Sequence, residues 1–494
     1  MHRTFATLAP ILCFPCLCFA DEPKKTEVAP APVETVIRIT VHPMAAPVPA
    51  LKYQLLPELT EMNPGNPIQG YLKCFMEQKE FFFGKESEEL RDKWLEMPLK
   101  DLPVETILQR YGGHPLTDAD YAARLDTPDW QILLKLKSDG MMLLLPDIQQ
   151  MRTLWRALQV RCRAEIAAGK FNNAVVTLKT LFAMSRHHCE HPTLVANLVG
   201  FAISGAALRS LEEMVQQPGA PNLFWAESSL PSPLVGFASG LQGEWVIVEK
   251  EIEPLERHSP MTDAELQRAI DHLDAMLDLE GGTKKRGDVR KSLEAKARDK
   301  AELAKARRLL ADAGFDSKQL DHSSASGPTG GAITESGSLG SKQLERFSPL
   351  QTVLASEAVE VHRRRDDGVK SLMLPYWQFE AVLAANRKEY GGEPAPAITS
   401  STFWDVFEHA RSRQAELEQR LSQLRCIEAL RMYGADHDGK LPERLDDVPV
   451  PVPLDPVSGK PFSYKLDGAK ATLHGEPAGD KPGEWIVYEI TMQK

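Results

Sequence analysis

The densest group of chemistry-bearing side chains is Arg186-His187-His188-Cys189-Glu190-His191. His187 and His191 stand one helical turn apart, so on a helix their imidazoles share a face, with His188 and Cys189 beside them. Imidazole and thiolate are the usual ligands of a tetrahedral zinc, and His187, His188 and His191 are therefore the metal candidates of this chain. The competing reading is a polar helix end, since histidine is favoured near a helix C-terminus by the helix dipole. That reading is preferred here, and no cofactor is expected.

Two other stretches have the spacing of a ligand loop but not its chemistry. Gly434 to Leu441, GADHDGKL, has the spacing of a phosphate-binding loop. It follows a helical pattern instead of a strand, Leu441 stands where a magnesium-binding hydroxyl belongs, and Asp436 and Asp438 would repel phosphate. Read as a calcium loop, the same stretch places Gly434 at the first ligand position and Leu445 where the bidentate glutamate belongs. GxSxG, HExxH and GxGxxG do not occur, so no catalytic residue is assigned. A formal net charge of -11 and a pI near 5.7 argue against a general nucleic-acid binder, which needs a basic excess.

The elements that would position such residues begin with an export signal at 1–20. His2 and Arg3 form a positive start, Thr4 to Phe19 an apolar run, and Ala20 a small residue before the charged DEPKK. Leu12, Pro15 and Leu17 precede Cys13, Cys16 and Cys18, which excludes a lipobox. Cys74, Cys162, Cys189 and Cys426 remain, far apart, as disulfides or buried thiols. Residues 21–50, rich in Pro, Ala and Val, read as a tether in which Ile37, Ile39 and Val41 alternate as a lone edge strand.

From 51 to 260 the pattern is helix, tight turn, helix, centred on Thr193 to Met214. This run carries no charge until Arg209. Ala196, Gly200 and Ser204 form a ridge of small residues, while Leu194, Leu198, Phe201 and Leu208 fill a core. The uncharged run is shorter than a bilayer requires, so a buried helix is expected and no transmembrane helix after signal removal. Residues 261–400 are more charged. Lys284 to Arg308 holds eleven Lys or Arg against four Asp or Glu, over a thin stripe of Leu293, Ala297, Ala301 and Ala304. Residues 322–341 are Ser/Gly-rich and are expected to be a disordered insertion.

In 401–494, apolar residues three or four apart from Phe403 to Tyr433 predict one long helix. Asp455, Pro456, Gly459 and Pro461 then form a structural turn: an Asx-type acceptor, a fixed φ, a residue free to take φ > 0, and a block to further helix. Three strands follow, with a two-residue hairpin turn at Asp467-Gly468 and alternation of Ile486, Tyr488, Ile490 and Met492 in the last.

Two stretches resemble known families. Ala168-Gly169-Lys170-Phe171-Asn172-Asn173-Ala174, followed by Leu178 and Leu181, resembles the turn and second helix of a tetratricopeptide repeat, although Arg161 and Glu165 depart from it and no 34-residue period continues. DPVSGKPFSY at 455–464 resembles the DPWGxPYxY signature of the periplasmic head of type II secretion pseudopilins. The repeat resemblance implies a binding or scaffolding surface and nothing catalytic. Because the second module lies far from the N-terminus, pseudopilus assembly is not implied.

The expected fold is mostly α, an irregular repeat-like array of helical hairpins, with a small α+β C-terminal module of a long helix and a three-stranded antiparallel meander. The expected function is a non-catalytic binding or structural protein of the bacterial envelope, periplasmic or extracellular, with a protein partner and no nucleic acid. The alternative is an envelope enzyme, metal-dependent through His187, His188 and His191, with its site in the helical groove. Neither partner identity nor oligomeric state is fixed by the sequence.

Overall fold

The periodicities of three and four residues become helices throughout, and the protein is mostly α-helical with a small α+β element. The computed structural model describes residues 33–76, 78–257, 259–279, 288–313, 344–390, 401–479 and 484–493. The expected export signal at 1–20, the first part of the expected tether and the Ser/Gly-rich insertion at 322–341 lie outside the described residues. The chain divides into two units, one of residues 29–247, 374–381 and 407–494, the other including 248–373 and 382–406.

The first unit opens with β1 (Val33–Val41) and continues through α1 (Pro67–Lys73), α2 (Lys79–Phe83), α3 (Lys85–Glu96), α4 (Val104–Tyr111), α5 (His114–Ala122) and α6 (Leu133–Asp139). The Asn-Pro-Gly-Asn-Pro turn at 63–67 caps this array. The Asn66 side chain accepts from Ile68 N at 3.0 Å and from Asp129 N at 3.2 Å, so one residue starts α1 and pins a loop 63 positions away.

The centre is a three-helix stack of α7 (Pro146–Ala167), α8 (Phe171–Cys189) and α9 (Leu194–Val215). Gly169, at φ +68°, turns α7 into α8. Thr193 caps α9. The small-residue ridge faces α8: Ser185 Oγ donates to Gly200 O at 2.6 Å and meets Ser204 Oγ at 2.6 Å. A Cβ on Gly200 would stand 2.9 Å from Ser185 O, so only glycine allows this approach. By length and composition α9 could cross a membrane, yet 72% of its most apolar stretch is buried inside the protein.

After α10 (Phe224–Ser228) and α11 (Ala238–Ile252), the unit resumes in the second half of the chain. There α16 (Tyr376–Tyr390), in this unit up to 381, and α17 (Ser401–Asp436), in it from 407, lead to β2 (Ser463–Asp467), β3 (Lys470–His474) and β4 (Glu484–Met492). The sheet order is β1-β4-β3-β2. β2, β3 and β4 form the expected antiparallel meander, but β1 adds to β4 in parallel, with Ile37 opposite Tyr488 and Ile39 opposite Ile490.

Two expectations are thereby corrected. The expected three-stranded meander is extended to a four-stranded sheet, and residues 33–41 are an integral strand, not a tether with a lone strand. Residues 407–494 share one unit with 29–247. The physical reason is common to both corrections: alternation of Ile37, Ile39 and Val41 marks a half-buried strand, but the partner that buries it lies about 450 residues away, beyond any local signal. Across the opposite face Arg38 pairs with Glu489 at 2.8 Å. The hairpin turn is also shifted by one residue, to Gly468-Ala469. Only Gly468 has positive φ, +60°, the type II′ pattern.

The second unit contains α12 (Asp263–Leu279), α13 (Asp288–Arg298), α14 (Lys300–Asp312) and α15 (Pro349–Leu372), and Leu310 of α14 and Ala355 of α15 share a core cluster with Leu344 and Phe347. The basic run contains two helices, α13 and α14. Asp299 breaks it and caps α14, accepting from Ala301 N at 2.7 Å. The break resets the phase of the apolar stripe, so Leu293 is followed in the core by Ala306 and Leu310 while Ala301 and Ala304 are exposed. Lys296 pairs with Glu357 of α15 at 2.6 Å.

Candidate functional site

The end of α8 carries the three histidines, and each leans on a different neighbour. His187 Nδ1 meets Tyr71 Oη at 3.0 Å. His191 Nδ1 meets Thr193 Oγ1 at 2.9 Å. His188 is buried edge-to-face against Trp130, with ring centroids 5.1 Å apart, and neither of its nitrogens makes a well-formed hydrogen bond. Trp130 also packs on His191 and donates its Nε1 proton to His187 O at 3.0 Å.

Asn197 completes this corner. Its Nδ2 donates to the carbonyls of His191, His188 and Cys189 at 2.9, 3.3 and 3.3 Å, supplying the acceptors that the end of α8 leaves open. Burial keeps the imidazoles neutral: His187 and His191 are held down to about 4 and His188 to about 3. Among the described residues no three His, Cys, Asp or Glu side chains converge as a set of metal ligands. Tyr71, Trp130 and Asn197 were not found from sequence. The first two lie 57 residues or more from the histidines, whereas Asn197, a lone amide in an apolar run, was a signal that could have been used.

The cysteines Cys74, Cys162, Cys189 and Cys426 are all buried free thiols. Burial raises the thiols of Cys74 and Cys426 to about 12, which withholds the nucleophilic thiolate.

The turn at 455–461 is held by one buried carboxylate. Asp455 Oδ1 accepts from Val457 N at 3.0 Å and Gln419 Nε2 at 2.8 Å, while Oδ2 accepts from Ser458 Oγ at 2.7 Å and Glu476 N at 3.0 Å. Gly459 has φ +69°, and a Cβ there would meet the Trp377 indole at 3.1 Å. Pro456, Lys460 and Pro461 are the less buried members. The GADHDGKL stretch is the C-terminal cap of α17: Gly439, at φ +74°, donates its N–H to Gly434 O at 2.8 Å.

Polar residues of α17 face inward and tie remote segments together. Arg420 forms a bidentate pair with Glu212 of α9 at 2.6 Å through each contact, and Tyr488 Oη donates to the same carboxylate. Arg431 is fully buried. It donates to Glu428 at 2.9 Å, to Ala220 O at 2.7 Å and to His42 O at 2.9 Å. The Gln216-to-Asn222 loop thus docks on α17, where Asn222 Nδ2 also donates to Glu428 O at 2.8 Å.

Beside this network lies a cavity of about 180 Å³, bounded by Glu227, Leu230, Leu234, Glu418, Ser422 and Arg425 among others. Glu227 Oε2 and Glu418 Oε1 are buried without a hydrogen-bond partner. Burial raises both carboxyls above the usual range, and the nearby Glu428 raises Glu227 further. In the second unit a groove of about 520 Å³ runs between α13, α14 and α15, with Lys296, Glu357, Glu360, Arg363 and Arg364 paired among themselves on its walls.

No protein-family model matches this chain, and searches of curated proteins and of solved structures return no significant match.

Proposed function

We propose that the protein is an exported, non-catalytic binding or structural component of the bacterial cell envelope that engages a protein partner through its helical array. The observation that carries this reading is the segment around α6. Leu133, Leu134, Met142 and Leu144 are 52, 83, 69 and 81% exposed within twelve residues. Large aliphatic side chains grouped on a surface are unfavourable in water and mark sites that another molecule covers. The tetratricopeptide-like turn at 168–174 agrees with a scaffolding role, and the charged start and apolar run of residues 2–19 agree with export. Burial of the three histidines and four thiols gives the enzyme alternative no support.

The test is a photo-crosslinking residue placed at Lys135 in the cell envelope. One discrete cross-linked protein is expected, lost in the Leu134→Ser/Leu144→Ser double variant at unchanged thermal stability. An identical cross-linking pattern from both proteins would remove the reading.

A further inference from the structure

The cavity beside Glu227 has the charge pattern of a ligand site. Glu418, Ser422 and Arg425 lie on one face of α17 at i, i+4 and i+7, so their backbone positions spread over about 10 Å of the helix axis, and all three line the cavity. Glu227 enters from α10, and its side chain is 2% exposed. Leu230 and Leu234 supply an apolar wall.

Arg425 is fixed in place without being neutralised by a hydrogen-bonded carboxylate. Its Nε donates to Ser228 Oγ at 3.1 Å and its guanidinium lies over the Phe224 ring, 5.9 Å from the centroid. Its two terminal nitrogens have no acceptor among the described residues, and that planar fork is the arrangement that binds a carboxylate through two parallel hydrogen bonds. Glu227 Oε2 and Glu418 Oε1 are acceptors with nothing donating to them. An orphaned buried carboxyl oxygen is costly, and two in one cavity point to a missing donor.

We infer that this cavity binds a small zwitterion of the α-amino-acid class, its ammonium group donating to Glu227 and Glu418 and its carboxylate accepting from Arg425. A metal cation satisfies the carboxyls but is repelled by Arg425, and a simple anion has the reverse conflict. A volume of about 180 Å³ is the space of roughly six water molecules, which suits a small amino acid with its side chain against Leu230 and Leu234. Burial raises the affinity of both carboxyls for protons, and the nearby Glu428 adds to it at Glu227; Arg425 and Arg431 near Glu227 and Arg411 near Glu418 oppose the shift without reversing it. The inference uses no residue of the α6 surface, so the cross-linking experiment and this one fail independently.

The test is calorimetric titration and thermal melting of the full chain with alanine, ethylamine and propionate at matched ionic strength. Alanine is expected to bind saturably and raise Tm, with ethylamine and propionate at least about tenfold weaker because each leaves one charge of the site unmet. Glu227→Gln and Arg425→Gln should each abolish the alanine effect. Ser422→Leu, which fills the cavity and removes no charge, should do the same and serves if either charge variant fails to fold. Absence of a saturable alanine signal, equal binding of propionate or ethylamine, or undiminished alanine binding by Ser422→Leu overturns the assignment.

Discussion

Helices α9 and α17 both run through the interior of the same unit, and they are built in opposite ways. α9 is apolar, and its ridge of Ala196, Gly200 and Ser204 brings it against α8 through close packing. α17 turns Gln414, Gln419, Arg420, Gln423, Glu428 and Arg431 inward and binds its surroundings through hydrogen bonds to backbone and carboxylate. A core helix is therefore not defined by its apolar content. What matters is whether each buried group finds a partner, which α9 achieves by shape and α17 by directed polar contacts.

The contrast is broken most severely at Arg431. Arg431→Met leaves the Glu428 carboxylate and the carbonyls of Ala220 and His42 without their donor, and a destabilisation of about 3–5 kcal/mol is expected in urea unfolding. A cost under about 1 kcal/mol would mean that α17 is held by packing, as α9 is.

His188 tests the interior where polar support is weakest. Its ordinary value is 6.5, and burial, followed by the neighbouring His191 and His187, holds the folded state to about 3. Between these values the unfolded chain binds a proton that the folded chain refuses. Stability from this group is thus fully present above pH 6.5 and falls as the pH falls, by up to about 1.4 kcal/mol per unit. His188→Phe should remain within about 1 kcal/mol of wild type at pH 7.5 and be more stable by about 2–3 kcal/mol at pH 4.5. Parallel stability curves for the two proteins would refute the burial argument.

On the α9 side, Gly200→Val forces a side chain against Ser185 O and Cys189 Sγ and should cost about 1–3 kcal/mol in thermal unfolding. At the turn below α17, Gly459→Val meets both a positive φ and the Trp377 ring, and a cost of about 1–3 kcal/mol is expected. Lys460→Ala, at an exposed neighbour, should stay within about 0.5 kcal/mol. Reversal of that last pair would make Lys460 the residue that holds the turn.

The same contrast explains what the sequence made legible. The stack of α7, α8 and α9 could be read because its partners are neighbours in sequence and its signals are local: Gly169 at the turn, Thr193 at the cap, small residues every fourth position. The polar face of α17 could not be read in the same way, because its partners are His42, Ala220, Glu212 and Ile486. Gln414 stood out only as an exception within an apolar stripe. The histidines were visible as a cluster, yet spacing along a helix does not say that Tyr71 engages His187 while Trp130 packs on His188 and His191. Glu227, Glu418 and Arg425 carried no motif, since α10 and α17, distant in sequence, must meet before they form a site.

The pairing of β1 with β4 also sets an order of events. Val33 waits for Glu484, and closing a loop of that length is entropically demanding and slow compared with forming a helical hairpin. During synthesis β1 is made early and its partner late, so an extended, β-branched segment must persist unpaired while the helices form around it. Such an edge invites pairing with other chains. The charges of Glu34 and Arg38 make wrong partners less favourable until Glu489 arrives to match Arg38 across the finished sheet. The parallel strand thus acts as a latch that shuts only after the distant part of the chain has been delivered.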